Sequence, residues 1–418
     1  MNQEFFSTTK HFAKSLVLVA SVLMLVGQSS DAQDDWQRWR GPTGNGIAAK
    51  GQKPPVRWSK DKNVVWKSKV PGRGHSSPIV VANKIFLTTA ESDSKTQSVL
   101  CYDRASGKQL WKTKINEGGF IRMHANNSQA SPTVATDGEK VYAVFCHHDA
   151  TEAIALDMDG EIKWRTTVGD FRPRYPFGFG ASPIIYDSKL LVPNESMANG
   201  GIVALDTKNG EVVSKIDRGE LTSYSTPVVV NLGDKDHLFI GGGNAVKSYD
   251  PKTGDENWAA QTRWIVSCGT IVWDDEIVFA SGGFPAQQTL AMDYKTGDVL
   301  WSNSVKVYEQ SLLAVDGYLY AHADNGGIYC WRASDGKEMW KVRFKTSVSV
   351  SPTLANGHIY FTSQSGDTLV IKQTPKGYEE VAKNKLGDSA FASPAICGNQ
   401  IFARVGDGGQ EYLYCIGE

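Results

Sequence analysis

The sequence lacks an excess of charge of either sign. Its 418 residues contain 44 lysines and arginines against 45 aspartates and glutamates, which gives a formal net charge of -1. Proteins that bind nucleic acid or anionic membranes through overall charge carry a basic excess or a basic run. The composition therefore excludes that mode of binding, and we expect no nucleic-acid partner.

Long hydrophobic runs are also scarce. The longest lies at residues 16–26, and about 11 residues are too few to cross the hydrocarbon core of a bilayer. Lys10, His11 and Lys14 precede this run, and small residues follow it up to Ala32. This order predicts a signal peptide at residues 1–32. Because no cysteine lies near Ala32 to carry a lipid, we expect a periplasmic or secreted mature chain without a transmembrane segment.

Cysteine is infrequent, with six residues and no adjacent pair. Cys101, Cys330 and Cys415 fall on the first position of a repeated hairpin, described below, where other copies have alanine or serine. A position that accepts alanine, serine or cysteine is a tight core site for a small side chain. Although export permits disulfides, the pattern predicts mostly free, buried thiols.

Motifs of known catalytic chemistry are missing. The sequence contains no nucleophile elbow, phosphate-binding glycine loop or kinase-type motif. Asp157 begins a stretch like a calcium-binding loop, but the twelfth position is Val168 rather than glutamate. We therefore assign no catalytic residue and expect no metal site from the sequence.

A repeated hairpin is the main feature that the chain does have. Residues 291–301 read AMDYKTGDVLW, in which Asp293 can cap the turn and Gly297 can adopt the positive φ that closes it. The pattern recurs at residues 101–111, 248–258 and 330–340, and in altered form at 155–164 and 204–214, where Ser214 replaces the tryptophan. Such repetition in register predicts a repeat architecture.

A second landmark opens each unit, namely a serine or threonine before an apolar strand. The copies followed by proline are Ser77, Ser131, Ser182, Thr226, Ser351 and Ser393, and the copies without proline are placed at Cys268 and Gln310. Proline is tolerated at the first residue of a strand. With a further strand rich in valine, isoleucine and aromatic residues, each unit has four strands and a period of about 42 to 54 residues.

These units predict an all-β fold, an eight-bladed β-propeller of four-stranded blades at residues 58–418. The last blade lacks a fourth strand at the C-terminus, whereas a strand with Trp66 is left over at the other end. We expect this N-terminal strand to close the ring beside Cys415, because closure leaves no free edge. Residues 33–57 are interpreted as an arm on the propeller, since Trp36 and Trp39 are costly to leave in water.

The spacing Ala-x-Asp-x-x-Thr-Gly-x-x-x-Trp resembles the repeat of the pyrroloquinoline quinone (PQQ)-like β-propeller family, the quinoprotein alcohol dehydrogenase-like superfamily. The family includes dehydrogenases and non-enzymatic members such as the outer-membrane assembly lipoprotein BamB, and the arm WQRWRGPTGNG resembles secreted planctomycete-type members. The resemblance implies that the tryptophan of each blade docks on the next blade. The residues in that position are Trp66, Trp111, Trp164, Trp258, Trp301 and Trp340.

The same resemblance raises the question of a cofactor. The dehydrogenases of the family carry an adjacent cysteine pair against the quinone, a Ca²⁺ ion held by carboxylate and amide side chains, and an aspartate base. This sequence has no adjacent cysteines. We therefore expect no cofactor, with PQQ and Ca²⁺ as the alternative.

The connections between blades point to a binding face. All of them open on one face of a propeller, and those after the first two blades are about twice as long as those after the fourth and fifth. On a rigid scaffold, loops that are longer than the equivalent loops of the other repeats tend to carry binding residues. With the neighbouring loops they supply the candidates Arg122, His124, Asn126, His147, Arg172, Arg174, Tyr175, Phe177 and Glu195. Alternatively, the aromatic residues plug the channel and the arginines cap turns.

Three functions are compatible with this sequence. The first is an exported, non-catalytic, BamB-like monomer that binds an envelope protein or an extended ligand. The second is a divergent PQQ- and calcium-dependent dehydrogenase whose cofactor carboxylates are held by Arg122, Arg172 and Arg174. The third is a carbohydrate- or polymer-binding propeller that uses Tyr175, Phe177, Trp264 and Tyr308.

Overall fold

Antiparallel strands in groups of four make up the regular structure of the chain. The computed structural model describes residues 35–344 and 346–418, so the signal peptide predicted at residues 1–32 lies outside the described residues. Every regular element of the described part is a β-strand, and the strands form eight four-stranded sheets. The predicted all-β, eight-bladed propeller is confirmed.

The first four blades follow strand β1 (Val64–Val70) along the chain. Blade 1 contains β2 (Ile79–Val81), β3 (Lys84–Glu91), β4 (Thr96–Asp103) and β5 (Gln109–Glu117). Blade 2 contains β6 (Ala135–Thr136), β7 (Lys140–His147), β8 (Ala150–Asp157) and β9 (Ile162–Asp170). Blade 3 contains β10 (Ile184–Tyr186), β11 (Lys189–Asn194), β12 (Gly200–Asp206) and β13 (Val212–Gly219). Blade 4 contains β14 (Val228–Leu232), β15 (Lys235–Gly242), β16 (Ala245–Tyr249) and β17 (Glu256–Gln261).

The fifth blade is flanked by a two-stranded ribbon of β18 (Trp264–Val266) and β21 (Phe284–Pro285). Blade 5 itself contains β19 (Val272–Asp274), β20 (Ile277–Gly282), β22 (Gln288–Asp293) and β23 (Val299–Asn303). Blade 6 contains β24 (Leu313–Val315), β25 (Tyr318–His322), β26 (Gly327–Arg332) and β27 (Glu338–Arg343). Blade 7 contains β28 (Thr353–Ala355), β29 (His358–Thr362), β30 (Asp367–Lys372) and β31 (Glu380–Lys385). Blade 8 contains β32 (Ala395–Cys397), β33 (Gln400–Asp407), β34 (Gln410–Ile416) and β1.

The eighth blade is closed by the N-terminal strand. Strand β1 pairs antiparallel with β34, and Trp66 lies opposite Cys415 in the register of this pair. The same register places Trp301 opposite Ala291 in blade 5. The closure predicted from the leftover strand is therefore confirmed, and it removes the free edge that an open ring of blades would expose.

A ring of hydroxyl groups joins the blades around the channel. Each blade contributes one serine or threonine to this ring. Between seven pairs of neighbouring blades, the backbone N–H of one ring residue donates a hydrogen bond of 2.9–3.0 Å to the side-chain oxygen of the ring residue in the next blade. The ring residues are Ser77, Thr133, Ser182, Thr226, Thr270, Ser311, Ser351 and Ser393. In three blades the repeat was predicted to begin at Ser131, Cys268 and Gln310, and these positions are wrong by one or two residues. The equivalent position in every blade is the residue that supplies the ring hydroxyl, whether or not a proline follows it.

The hairpin tryptophans contact the next blade. The indole N–H of Trp301 in blade 5 donates to the carbonyl of Ala333 in blade 6 over 2.7 Å. Equivalent bonds of 2.8–3.1 Å are made by Trp66, Trp111, Trp164, Trp258 and Trp340. A Cβ added to the turn glycine Gly336 would lie 2.6 Å from the Trp301 ring. The glycine is thus needed for close approach as well as for its φ of +70°.

Replacing Gly336 with alanine is expected to destabilise the protein more than the same change at Gly317. Gly317 has a φ of +77°, but nothing lies within 4 Å of an added Cβ there. Both variants incur backbone strain of about 1–2 kcal/mol, and overpacking against Trp301 adds about 1–3 kcal/mol only at Gly336. Chemical denaturation of both variants measures the difference. Equal destabilisation by the Gly336 and Gly317 variants would show that the Trp301 ring moves aside without loss of stability.

Two blades lack the tryptophan, and different contacts occupy its place. In blade 7 the arm supplies Trp58, whose ring stacks on Tyr360 with centroids 6.1 Å apart. In the six blades that have the tryptophan, the residue equivalent to Tyr360 lies against it, as Phe279 does against Trp301. In blade 3, which has Ser214, the side chain that approaches the turn glycine Gly254 of blade 4 is Ile216, whose Cγ1 lies 3.1 Å from the position of an added Cβ. Further along the same strand, Arg218 donates to the hydroxyl of Tyr249 over 3.1 Å.

The N-terminal arm crosses the channel on the side away from the long connections. Trp36 is 2% exposed and forms a β-bridge with Val80 of blade 1. The guanidinium of Arg40 donates to the carbonyls of Leu312 and Pro352, in blades 6 and 7, over 2.8 and 3.4 Å. Burial lowers the pKa of Arg40 to about 9. The arm therefore links blade 1 with blades 6 and 7.

Candidate functional site

The connections from strand D of one blade to strand A of the next surround a central well. The well is a cavity of about 250 Å³ at the axis of the propeller. In all eight blades, the residue two positions before the ring hydroxyl lines it. These residues are His75, Ser131, Gly180, Tyr224, Cys268, Glu309, Ser349 and Phe391. Alternate residues of an extended chain point to the same side, so the repeat itself aims one side chain per blade at the axis.

The well is closed at its inner end. Below the level of the connections, the ring residues Thr133, Ser182 and Thr226 contribute to its wall. Trp39 of the arm also lines it, and the indole N–H donates to Thr270 Oγ1 over 2.8 Å. The cavity is therefore a pit with an aromatic floor that is entered from the face of the long connections.

The long connection after blade 1 is held against the one after blade 2. Asn127 Nδ2 donates to the carbonyl of Phe177 over 2.7 Å. Asn127 Oδ1 accepts from Ser131 Oγ over 2.5 Å, and the ring of His124 meets the edge of Phe177 with centroids 6.1 Å apart. These contacts fix the two loops relative to each other, as pre-organised binding requires.

An aromatic ridge borders the well, formed by Tyr175, Phe177, Tyr224 and Phe284. Tyr175 and Phe177 stack with centroids 5.5 Å apart, and Phe284 stands edge-on to Tyr175 at 5.1 Å. The hydroxyl of Tyr224 donates to the carbonyl of Tyr175 over 3.0 Å. Since aromatic side chains lose little conformational freedom on binding, an ordered ridge of this kind suits an interface anchor.

One carboxylate lies in the wall of the well. Glu309 Oε2 accepts a hydrogen bond from the Ser349 hydroxyl, and Oε1 lies 3.5 Å from Asn126 Nδ2. Among the described residues, none of the side chains that line the well is lysine or arginine. Burial raises the pKa of the nearby Cys268 thiol, and the charge of Glu309 raises it further. The charge of Glu309 therefore acts on the interior of the well.

The part of the wall that blades 8 and 1 supply is aromatic and neutral. His75 stacks on Phe391 with centroids 4.4 Å apart and planes 7° from parallel. Burial, with smaller contributions from Arg73 and Arg404, lowers the pKa of His75 well below its usual value. The imidazole is therefore uncharged at neutral pH and does not compensate Glu309.

The structure brings four of the nine predicted binding residues together at the well. His124, Asn126 and Phe177 line the well, and Tyr175 lies beside them in the ridge. The arginines lie outside the well, all of them exposed: Arg122, Arg172 and Arg174. Arg172 pairs with Asp170 over 3.1 Å, and Arg174 lies over the ring of Tyr175 at 5.7 Å.

Two predicted residues lie elsewhere. Glu195 is 2% exposed and forms a buried ion pair of 2.8 Å with Arg218, so its expected place on the binding face is wrong. His147 is packed against the carbonyl of Glu117 over 3.2 Å and does not line the well. Contacts with neighbouring strands hold both side chains away from the well. Their positions in the loops of the sequence did not reveal these contacts.

The adjacent histidines depart from the expected geometry. We expected His147 and His148 to point to opposite sides of a strand, but their ring centroids are 4.3 Å apart. Strand β7 ends at His147, and His148 has a φ of +47°, which turns its ring back. Within residues 35–344 and 346–418, no three histidine, cysteine, aspartate or glutamate side chains are grouped so as to hold a metal ion.

The predicted carbohydrate-binding surface is only partly present. Tyr308 lines the well, but Trp264 is 0% exposed and lies beneath the backbone of Gly282. A buried indole cannot stack on a sugar, so the assignment of Trp264 to an exposed aromatic face is wrong. The small residue at Gly282 makes room for it.

The donor set of the well does not match the quinone cofactor. PQQ is an anion that carries carboxylate groups, and such groups are bound by arginine and lysine. The well offers instead the carboxylate of Glu309, the single thiol of Cys268, and the amides and imidazoles of Asn126, Asn127, His75 and His124. The arginines that we expected to hold the carboxylates lie outside it. The residues present therefore do not fit PQQ.

Comparison with known proteins identifies the family. The model of the family described as outer membrane protein assembly factor BamB matches residues 95–342 and 285–374. The chain belongs to the BamB family. This BamB-family propeller is 22% identical to BamB of Yersinia pestis, over 66% of the chain and 58% of that protein. It is 25% identical to a polyvinylalcohol dehydrogenase of Pseudomonas sp, over 81% of the chain and 47% of that enzyme.

Solved structures share the fold of this BamB-family propeller. A quinohemoprotein alcohol dehydrogenase of Comamonas testosteroni aligns with a TM-score of 0.70 and 12% identity, covering 93% of the chain and 82% of that structure. BamB of Moraxella catarrhalis aligns with a TM-score of 0.59 and 15% identity, covering 84% and 98%. The chain spans about half to two thirds of the length of the curated relatives it matches.

Several residues of the well were missed from the sequence, among them Trp39, His75, Glu309, Ser349 and Phe391. A signal for most of them was present. Each lies two residues before a ring hydroxyl, except Trp39, which belongs to the arm. Loop length distinguishes only the long connections, whereas the equivalent positions in the short connections are marked by their distance from the ring hydroxyl.

Proposed function

We propose that this protein is an exported, non-catalytic propeller that binds a protein or an extended ligand in the cell envelope through the face around the well. The observation that carries this proposal is the aromatic ridge, because it is ordered, partly exposed and flanked by the exposed guanidinium of Arg174. Aromatic residues and arginine are the types enriched in interface anchors.

The chemistry of the well supports binding rather than quinone-dependent catalysis. A dehydrogenase of the superfamily needs a bound anionic cofactor, whereas this well places Glu309 at the axis and the arginines outside it. The thiol of Cys268 has a raised pKa because it is buried, so it is a poor nucleophile at neutral pH. We propose on these grounds that no cofactor is bound.

The proposed location rests on the sequence and on relatives. Residues 1–32 have the pattern of a signal peptide, and three of the curated relatives are outer membrane protein assembly factors. No helix in residues 35–344 or 346–418 has the length and apolar character that crossing a bilayer needs. We propose a monomer in the periplasm or outside the cell, without a nucleic-acid partner.

Substitution of three residues tests the proposed face. The variant Arg172→Ala/Arg174→Ala/Tyr175→Ala is expected to recover its partners from envelope extract at least about tenfold less well than the wild type, because it loses anchors of about 2 kcal/mol. Quantitative mass spectrometry of the captured proteins is the measurement.

The matched control is Lys208→Ala/Lys252→Ala, which removes two exposed positive charges from strand C to D turns. These turns lie on the opposite face, since successive strands of a blade alternate in direction. We expect wild-type recovery from this variant. Unchanged recovery by the triple variant would remove the ridge from the proposal.

The dehydrogenase alternative has its own test. PQQ with Ca²⁺ is titrated into the protein while tryptophan fluorescence is recorded, since Trp39 forms the floor of the well. We expect no saturable change, because Glu309 repels the cofactor's carboxylates. Saturable quenching that Trp39→Phe abolishes would favour the dehydrogenase.

A further inference from the structure

Within residues 35–344 and 346–418, the carboxylate of Glu309 has no cationic partner in the wall of the well. Its contacts among these residues are the hydroxyl of Ser349 and the amide of Asn126, which are both neutral. Lys306, in the same connection, is paired with Asp324 over 3.1 Å and lies over the ring of Tyr308, 4.9 Å from its centroid. A partly buried carboxylate without a cation is energetically unfavourable, and a cationic ligand group would compensate it.

The surrounding side chains suit such a group. The rings of Phe177, Tyr308 and Phe391 line the same cavity as Glu309. Aromatic faces attract ammonium groups, and the attraction is stronger in a desolvated site. Arg73 does not line the well, and its guanidinium lies 5.8 Å from the centroid of the Phe391 ring and 3.4 Å from Nε2 of His75.

We propose that the well binds an alkylammonium group, with the cation at Glu309 and the apolar stem against Phe177 and Tyr308. The group belongs either to a free quaternary ammonium compound or to a lysine side chain presented by a partner. The cavity of about 250 Å³ admits one such group, and Trp39 limits its depth. This inference deepens the proposed binding function and rests on it.

Calorimetric titration of the full chain with matched small molecules tests the charge preference. Choline is compared with 3,3-dimethylbutan-1-ol, its uncharged isostere, and with the anion 3,3-dimethylbutyrate. We expect choline to bind at least about tenfold more tightly than the alcohol, and the anion to give no saturable heat. Equal binding of choline and the alcohol would overturn the proposal, as would tighter binding of the anion.

The variant Glu309→Gln keeps the size of the side chain and removes its charge. We expect it to lose the preference for choline over the alcohol, while Glu276→Gln, at an exposed turn of blade 5, retains it. Should Glu309→Gln fail to fold, Tyr308→Leu replaces it, and there choline affinity is expected to fall more than alcohol affinity. A full choline preference in a folded Glu309→Gln protein would refute the role of the carboxylate.

Two further measurements complete the test. One distinguishes the two sources of the ammonium group, and the other distinguishes this inference from the proposed function. Tighter binding of n-butylammonium than of choline identifies a lysine side chain, and the reverse order identifies a free quaternary ammonium compound. Recovery of partners by the Glu309→Gln variant, measured as above, separates this inference from the proposed function. If the Glu309→Gln variant recovers partners as well as the wild type does, and the wild-type protein shows no preference for cations, this inference is overturned while the proposed function stands.

Discussion

Replacing Arg218 with methionine is expected to lower the free energy of unfolding by about 3–5 kcal/mol, because it leaves an unpaired carboxylate in the interior. The side chains of Glu195 and Arg218 are 1% and 0% exposed, and their ion pair measures 2.8 Å. Burial raises the pKa of Glu195, although Arg218 opposes this effect. The charged carboxylate therefore depends on its partner.

The double variant Glu195→Leu/Arg218→Met separates the charge effect from packing. Glu195 Oε2 and Arg218 Nη2 make no hydrogen bond within the described residues, so the pair is incompletely satisfied. Because replacing a buried ion pair by apolar residues is often nearly neutral, we expect the double variant to recover most of the loss. Chemical denaturation is the measurement for both.

A surface pair provides the control for this prediction. Lys372 and Glu379 form an ion pair of 3.2 Å, with side chains 56% and 51% exposed. Lys372→Met is expected to change stability by less than about 1 kcal/mol, as for other exposed pairs. A small effect of Arg218→Met, comparable to that of Lys372→Met, would show that blades 3 and 4 do not rely on the buried pair.

Replacing Trp301 with alanine is expected to destabilise the propeller by about 3 kcal/mol or more, as large aromatic truncations do. Its ring lies against Phe279 of its own blade, and its indole N–H is bonded to Ala333 of the next blade. The variant removes both contacts at one blade interface. Denaturation with urea, followed by far-ultraviolet circular dichroism, measures the loss.

Leu300→Ala is the matched control, since Leu300 is the neighbouring residue of β23 and is 46% exposed. We expect this change to cost less than about 0.5 kcal/mol. Binding by the folded fraction of Trp301→Ala should equal that of the wild type, because Trp301 does not line the well. Loss of binding without loss of stability would contradict this separation of scaffold and site.

The missing tryptophans illustrate the limit of local patterns. Residue 214 is serine, and the altered repeat of blade 7 also lacks the aromatic residue, so the sequence predicts two weak blade interfaces. The structure places Trp58 of the arm on blade 7, and it places Ile216 of blade 3 beside the turn glycine Gly254 of blade 4. Trp58 is some 300 residues from Tyr360 in the chain, and only closure of the ring brings them together.

The candidate site was predicted in part, and for a physical reason. Loop length identified His124, Asn126 and Phe177 in the long connections, because insertions are visible in the sequence. The short connections contribute equally to the well, and Glu309 comes from one of them. The burial of Glu195 was not predicted, since its partner Arg218 is on another strand.

The sequence by itself determined the strands, the turns, the count of eight blades and the closing strand. Those features follow from local chemistry that repeats, such as an aspartate cap, a turn glycine and alternating apolar residues. The tertiary structure alone decided what the well contains and which charges face it. One side chain per blade reaches the axis, and the character of the site comes from the eight together, which are neighbours only when the ring is closed.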